Sequence, residues 1–262
     1  MSILGQLAAH ARQRVAADRA QASLEALRER CRALGPGGGA RFQAALERPG
    51  LSFLCEVKRA SPSKGIISED FPYLDIARAY QRGGADAISC LTEPRWFLGS
   101  DQIFRDIRAA VDTPMLRKDF TVDEYQLYQA RMLGADCVLL ICALLDTGTL
   151  ERYLAICREL GLAALVEAHD EEEVASAAAA GARIIGVNNR NLKDFSVDLD
   201  NARRLRERVP PGVLYVSESG VARPEDAAAA RAMGADGVLV GEALMRVADP
   251  ASLLAAFREA AG

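Results

Sequence analysis

Four times along this chain a glycine and an alanine lead through a third residue into a short apolar run: Gly84-Ala85-Asp86, Gly134-Ala135-Asp136, Gly181-Ala182-Arg183 and Gly234-Ala235-Asp236. The interval is roughly fifty residues, longer than one strand–helix unit, so the rhythm marks paired βα units. A glycine that closes a helix and a small residue that permits close packing explain each copy locally. Four copies together restrict the topology far more than any one of them.

Read with the turn signals, the apolar runs place strands at 53–60, 87–93, 114–120, 137–144, 163–169, 184–190, 214–220 and 237–243. Helical spacing fills the intervals at 74–82, 102–111, 124–133, 147–160, 171–180, 199–208 and 224–233, and 251–261 closes the chain. Alternating strands and helices require a parallel sheet. Eight short units of similar length fit a closed (β/α)8 barrel, the TIM-barrel architecture, better than a doubly wound sheet, and no Gly-x-Gly-x-x-Gly follows the first strand. The length of 262 residues suits one such barrel, so we expect a single domain over 1–262. Within it, residues 1–50 form a helical extension packed on the barrel. Residues 11–34 are rich in Ala, Arg, Glu and Leu, Gly35-Pro36-Gly37-Gly38-Gly39 breaks the pattern, and a short helix follows.

In such barrels chemistry sits at the carboxyl ends of the strands, while the strand bodies fill the interior. Period-two alternation puts Leu54, Glu56 and Lys58 on one face of the first strand, and Leu116 and Lys118 on one face of the third. It likewise groups Leu165 with Glu167, Gly186 with Asn188 and Arg190, and Leu214 and Val216 with Glu218. In each strand the polar group comes last, and the fourth strand is apolar to its end. An edge-strand ion pair explains Glu56 and Lys58 alone, and solubility at the rim explains one or two polar tips. A convergent site explains all five strands, since Lys and Glu are seldom buried unless paired. Ser217-Glu218-Ser219-Gly220 and Val240-Gly241-Glu242-Ala243 lie where barrels often hold phosphate, although Gly220 and Gly241 also suit simple tight turns.

Composition excludes several other roles. A formal charge of −4 argues against nucleic acid as the main partner. The six cysteines show no Cys-x-x-Cys spacing and read as buried free thiols; with only His10 and His169 available, no zinc site is expected. No run is long enough to span a membrane, and no signal peptide is evident, which together point to the cytoplasm.

The chain also resembles the indole-3-glycerol phosphate synthase family over nearly its whole length. The resemblance rests on Cys-Glu-Val-Lys-Arg-Ala-Ser-Pro-Ser-Lys-Gly at 55–65, Leu-Thr-Glu-Pro-Arg-Trp-Phe-Leu-Gly-Ser at 91–100, Leu-Arg-Lys-Asp-Phe at 116–120 and Leu-Val-Glu-Ala-His at 165–169. Gly-Val-Asn-Asn-Arg-Asn-Leu at 186–192, Val-Ser-Glu-Ser-Gly at 216–220 and Val-Gly-Glu-Ala-Leu-Met-Arg at 240–246 complete it. It implies a cofactor-independent carboxy-lyase, without metal, that converts 1-(2-carboxyphenylamino)-1-deoxyribulose 5-phosphate to indole-3-glycerol phosphate, carbon dioxide and water. The only partner it implies is this small phosphosugar: no nucleic acid, membrane or obligate protein partner, and a monomer.

Carried onto matching positions, the resemblance makes Lys118 the general acid and Glu167 the base. Lys58 assists on the acid side, Glu56 orients the lysine, Glu218 contacts polar groups of the substrate, and Asn188 and Arg190 position it. Ser219, Gly220, Gly241 and the backbone amide of Glu242 match phosphate-binding positions, and Ser61 a further substrate contact. A lysine acid is poised when neighbouring positive charge lowers its pKa, and Lys58 and Arg59 are the expected source of that charge. Trp96, Phe97 and Phe120 offer an apolar wall for the anthranilate ring, although a lone loop Trp often simply packs. The loop 59–71 is expected to close over substrate. His10 and Arg14 do not reproduce the family's pattern in the first helix, which leaves the extension's contacts with substrate open. Three rivals remain: an isomerase of phosphoribosylanthranilate, a Schiff-base aldolase using Lys58 or Lys118, and a non-catalytic phosphosugar-binding barrel.

Overall fold

The computed structural model describes residues 2–191 and 196–262. Leu192, the last residue of the 186–192 run, lies outside them. Eight parallel strands close into a barrel: β1 (Ser52–Val57), β2 (Ala87–Leu91), β3 (Met115–Lys118), β4 (Cys137–Ile141), β5 (Ala163–Ala168), β6 (Ile184–Asn188), β7 (Leu214–Glu218) and β8 (Gly237–Val240). Each pairs with the next, and β8 closes on β1 with Ser52 opposite Gly237 and Cys55 opposite Val240. Both faces of the sheet are buried, which is why the strands read as nearly continuous apolar runs.

The period-two assignment holds. Leu54, Leu116, Leu139, Leu165 and Val216 meet inside the barrel, while Phe53, Cys55, Ile88, Met115 and Tyr215 face the surrounding helices. The strands end earlier than the apolar pattern implies. After β1 the chain forms a small hairpin, Ala60–Ser61 paired with Gly65–Ile66, and after β4 it tightens into a 3-10 turn at Cys142–Leu144. Hydrophobicity continues past the point where a neighbouring strand can still supply ladder hydrogen bonds, so period alone overruns the strand ends.

Barrel helices α4 (Tyr73–Arg82), α5 (Asp101–Ala110), α6 (Tyr125–Leu133), α7 (Thr147–Leu160), α8 (Glu171–Ala179), α9 (Leu199–Arg206) and α10 (Pro224–Ala232) follow the first seven strands. A one-turn α11 (Glu242–Met245) and then α12 (Pro250–Ala261) follow the eighth. The recurring tripeptide is the hinge between helix and strand. Gly84, Gly134, Gly181 and Gly234 have φ of 82°, 81°, 84° and 83°, a left-handed region costly for residues with a Cβ. The alanine after each donates its N–H back into the helix, as Ala85 does to Tyr80 O at 2.9 Å and Ala135 to Ala130 O at 3.0 Å. In three of the four copies the aspartate then straps the preceding strand: Asp86, Asp136 and Asp236 accept the backbone N–H of Phe53, Met115 and Tyr215 at 2.9, 2.7 and 2.7 Å.

The extension is three helices before the barrel. The pattern read over 11–34 divides into α1 (Ile3–Gln21) and α2 (Leu24–Arg32), because Ser23, in extended backbone, accepts the Ala26 N–H at 3.2 Å and starts a new helix. Helix α2 lies on α6, with Arg28 3.3 Å from Glu124. Helix α3 (Gly39–Leu46) plugs the amino end of the barrel with Phe42 and Leu46, one turn apart and fully buried against Leu54 and Leu165. Each plug residue contributes about 1.5–3 kcal/mol by burial.

Candidate active site

At the carboxyl ends of the strands a cavity of about 640 Å³ opens over an apolar floor of Leu139, Ile141 and Leu239. All of the candidate residues except Trp96 line the cavity: Glu56, Lys58, Ser61, Phe97, Lys118, Phe120, Glu167, Asn188, Arg190, Glu218, Ser219, Gly220, Gly241 and Glu242. A larger cleft of about 1060 Å³ lies elsewhere, among α2, α3, α7 and the amino ends of β5 and β6, and holds none of them.

The centre is Lys118, the last residue of β3. Its Nζ lies 3.3 Å from Glu167 Oε2 and 3.1 Å from Glu218 Oε2. Burial acts to lower the lysine pKa, but Glu218, Glu167 and Glu56 outweigh it and hold the ammonium well above its ordinary value. This corrects the expectation of a lysine depressed by positive neighbours. Lys58 ion-pairs with Glu56, so its charge is spent there.

The two carboxylates divide. Burial acts to raise Glu167, yet Lys118, His169 and a hydrogen bond from Asn188 bring it below the usual range. Glu218 is pushed up to about 7 by burial, partly offset by Lys118 and reinforced by Glu167. One ammonium thus serves two acids, of which one stays ionised and the other takes a proton near neutrality. Asn188 joins three strands: its Oδ1 accepts from the Arg190 N–H at 3.0 Å and the Ser219 hydroxyl at 2.9 Å, while its amide reaches Glu167.

Close approach makes two glycines part of this arrangement. A Cβ on Gly241 would lie 2.6 Å from Glu56 Oε1 and 3.2 Å from Lys58 Nζ. One on Gly186 would overlap Glu218 Oε1 and sit 3.1 Å from Leu165 Cδ1. Gly186→Ala should therefore fold, because the obstructed atom is a side-chain end, yet lose roughly tenfold or more in kcat by displacing Glu218. Steady-state kinetics beside a melting curve checks this; unchanged kcat would remove Glu218's position from the account.

On the far side, Ser219 (φ 66°) and Gly220 (φ 97°) turn the chain sharply after β7. Glu242, at the start of α11, is held by Arg246 at 2.9 Å and Lys64 at 3.6 Å. Lys64 and Arg246 also line the cavity and add positive charge that the strand-by-strand reading did not assign.

The apolar side contains Phe97 and Phe120, with ring centroids 6.0 Å apart. Trp96 is not part of it; its ring packs edge-on against His10 and lies under Arg95. Buried Glu93 fixes this loop by accepting the backbone N–H groups of Arg95, Trp96 and Phe97 at 3.0, 2.7 and 3.1 Å. Helix α1 is tied to the same place. His10 Nδ1 lies 3.1 Å from Glu93, and Arg14 grips Asp119 through two bonds of 3.0 and 2.6 Å. Ile3, Leu4 and Leu7 complete the wall. Nothing in the sequence tells which barrel end a helical extension covers, so these contributions were not legible there.

A (β/α)8 barrel that gathers an ammonium, a second lysine and three carboxylates at its catalytic end defines an enzyme equipped for proton transfer. The sequence model of indole-3-glycerol phosphate synthase matches residues 4–257. Proteins described as indole-3-glycerol phosphate synthase are 58% identical over 220 residues in Ruminiclostridium cellulolyticum, covering 84% of this chain and 85% of that one. Others are 47% identical in Leuconostoc mesenteroides (94% and 95% covered) and 45% identical in Lacticaseibacillus paracasei (99% and 100% covered). The chain belongs to the indole-3-glycerol phosphate synthase family, carboxy-lyases of tryptophan biosynthesis. Among solved structures, thiamine phosphate pyrophosphorylase from Pyrococcus furiosus shares the barrel alone, with a TM-score of 0.62 at 20% identity over 80% of this chain and 95% of that one.

Proposed function

We propose that this cavity closes the indole ring of 1-(2-carboxyphenylamino)-1-deoxyribulose 5-phosphate with Lys118 as acid and Glu167 as base. The observation that carries the assignment is the Lys118 ammonium set 3.3 and 3.1 Å from two buried carboxylates over an apolar floor. An ammonium held so firmly is always loaded with its proton. It polarises the ribulose carbonyl, and it delivers the proton only as the aromatic carbon attacks and the oxygen becomes an alkoxide, a stronger base than the amine. Glu218, protonated near neutrality, then restores the ammonium. Loss of carbon dioxide returns electrons to the ring. Glu167 next removes the substrate proton, while Lys58, oriented by Glu56, assists the departing hydroxide.

Arg190 is suited to the substrate carboxylate by its forked donors, with Asn188 holding its backbone. Ser219, Gly220, Gly241 and the Glu242 amide receive the phosphate, with Lys64 and Arg246 nearby. Phe97 and Phe120 take the anthranilate ring, Ser61 adds a polar contact, and the hairpin after β1 closes over the bound molecule. We read residues 1–262 as one barrel domain with 1–50 packed on it, acting as a cytoplasmic monomer. Among the described residues no helix is long and apolar enough to cross a membrane.

The direct test mixes the protein with the carboxyphenylamino-deoxyribulose phosphate and follows indole fluorescence. Glu167→Gln should lose most of this signal while still binding the phosphorylated product; near wild-type turnover would reject Glu167 as the base.

A further inference from the structure

We propose that His169 and Glu173 form a positioning and proton-relay pair behind Glu167, connecting the buried base to solvent. The inference rests on Glu167 being the base. His169 follows β5 directly, and its Nε2 lies 3.5 Å from Glu167 Oε1. That nitrogen is buried and makes no hydrogen bond, so it faces the Glu167 carboxylate with an unused valence; Glu218 Oε1, on the far side of Lys118, is the other buried atom of this cluster without a hydrogen bond among the described residues. The other side of the ring is fixed. Glu173 Oε2 lies 3.1 Å from His169 Nδ1 and accepts the His169 backbone N–H at 2.8 Å. An ionised carboxylate only accepts, so Nδ1 carries the proton and Nε2 is left to exchange one with Glu167.

The arrangement is anchored on three sides. Glu173 lies in the first turn of α8, where its own N–H is capped by Asp170 at 2.9 Å. Asn201 of α9 donates to the His169 carbonyl at 3.1 Å, and the Cys142 thiol, after β4, donates to the Glu173 carbonyl at 3.5 Å. The charged and titratable groups around the ring are Glu167 with Lys118 and Glu218 behind it, Glu173 on α8, Asp170 at its N-cap, and Cys142. Burial acts against the imidazolium, but the Glu173 hydrogen bond and the charges of Glu167, Glu173 and Glu218 raise the histidine above its ordinary pKa.

The proton balance is simple. Glu167 takes a proton from substrate. Its O–H bond then breaks as an Nε2–H bond forms, giving an imidazolium whose charge Glu173 compensates. Loss of the Nδ1 proton to water by way of Glu173, whose side chain is 20% exposed, leaves an ionised base and a neutral ring protonated on Nε2, and tautomer exchange with water then restores the Nδ1–H form for the next turnover. In molecules whose ring is already protonated the relay is closed, and the imidazolium beside Glu167 instead helps to keep the base ionised. That help is present at low pH and is lost as pH rises through the raised histidine pKa.

The experiment measures kcat and KM against pH for the wild type, His169→Asn, His169→Ala, Glu173→Gln and Glu167→Gln, each with a melting curve. His169→Asn should lose roughly tenfold in kcat with KM nearly unchanged and a displaced pH limb. Added imidazole should return part of the rate to His169→Ala. Glu173→Gln, which keeps an acceptor for the His169 N–H but not the charge, should move the same limb to lower pH. Wild-type kcat and pH profile in His169→Asn and Glu173→Gln, with Glu167→Gln inactive, would overturn the relay and leave the base in place. An active Glu167→Gln would remove both.

Discussion

Lys118→Met is expected to lower kcat by roughly a thousandfold while leaving a folded barrel, since one proton-transfer group and one fixed charge leave the reacting centre together. Methionine preserves most of the chain length and removes only the ammonium. Its loss leaves Glu167 and Glu218 facing each other without the cation that lowers both. Glu218, already raised by burial and by Glu167, must then hold its proton to still higher pH than in an unfolded chain. A folded state that binds more protons than the unfolded one loses stability as pH rises, by about 1.4 kcal/mol for each pH unit over which one extra proton is held. The variant's melting temperature should therefore fall between pH 5 and pH 8 more steeply than that of the wild type. Single-turnover rates with the carboxyphenylamino-deoxyribulose phosphate test the first part and melting curves at several pH values the second. Retention of more than a tenth of the rate would show that the ammonium does not deliver the first proton.

How much of this was legible in the sequence differs from place to place for physical reasons. The barrel was legible because period-two alternation survives even in strands of four or five residues, and because the polar group falls last on β1, β3, β5, β6 and β7. That same period put Glu56, Lys118, Glu167, Asn188 and Glu218 on the inner face, where one cavity collects them. The electrostatics were not legible. The shared inner face suggested that Lys58 would depress Lys118, whereas the closed sheet brings Glu167 and Glu218, from strands two and four places away, within hydrogen-bonding reach. Pairing across a barrel is a property of closure, which no local window contains. The contribution of α1 was hidden for a similar reason: Arg14 finds Asp119 and His10 finds Glu93 only after the extension lies over the mouth. Ser23, by contrast, was a readable helix start inside a long helical composition that masked it.

The recurring tripeptide supplies the largest expected effect on stability. Asp136 is buried at 3% exposure, and four hydrogen bonds converge on its carboxylate: Arg41 Nε and Nη2 at 2.8 Å each, Arg108 Nη1 at 3.0 Å and the Met115 N–H at 2.7 Å. Asp136→Ala strands a half-buried arginine and an interior N–H together, at a cost of about 3–5 kcal/mol. For a chain of this size that corresponds to a fall of roughly 10 °C in melting temperature. Asp136→Asn keeps an acceptor for Met115 and should lose about half as much. Asp236 holds its strand in the same way, through the Tyr215 N–H at 2.7 Å, but no arginine ion pair forms on it among the described residues. Asp236→Ala should therefore cost only about 1–3 kcal/mol, the price of one orphaned buried donor. Urea titrations of the three variants measure the order directly, and equal losses in Asp136→Ala and Asp236→Ala would show that the arginines add nothing. Because Asp136 acts at the amino end of β3 and Lys118 stands at its carboxyl end, kcat of the folded variant should stay within a few-fold of wild type. A β3 that slipped by one residue would instead turn Lys118 out of the cavity and abolish turnover.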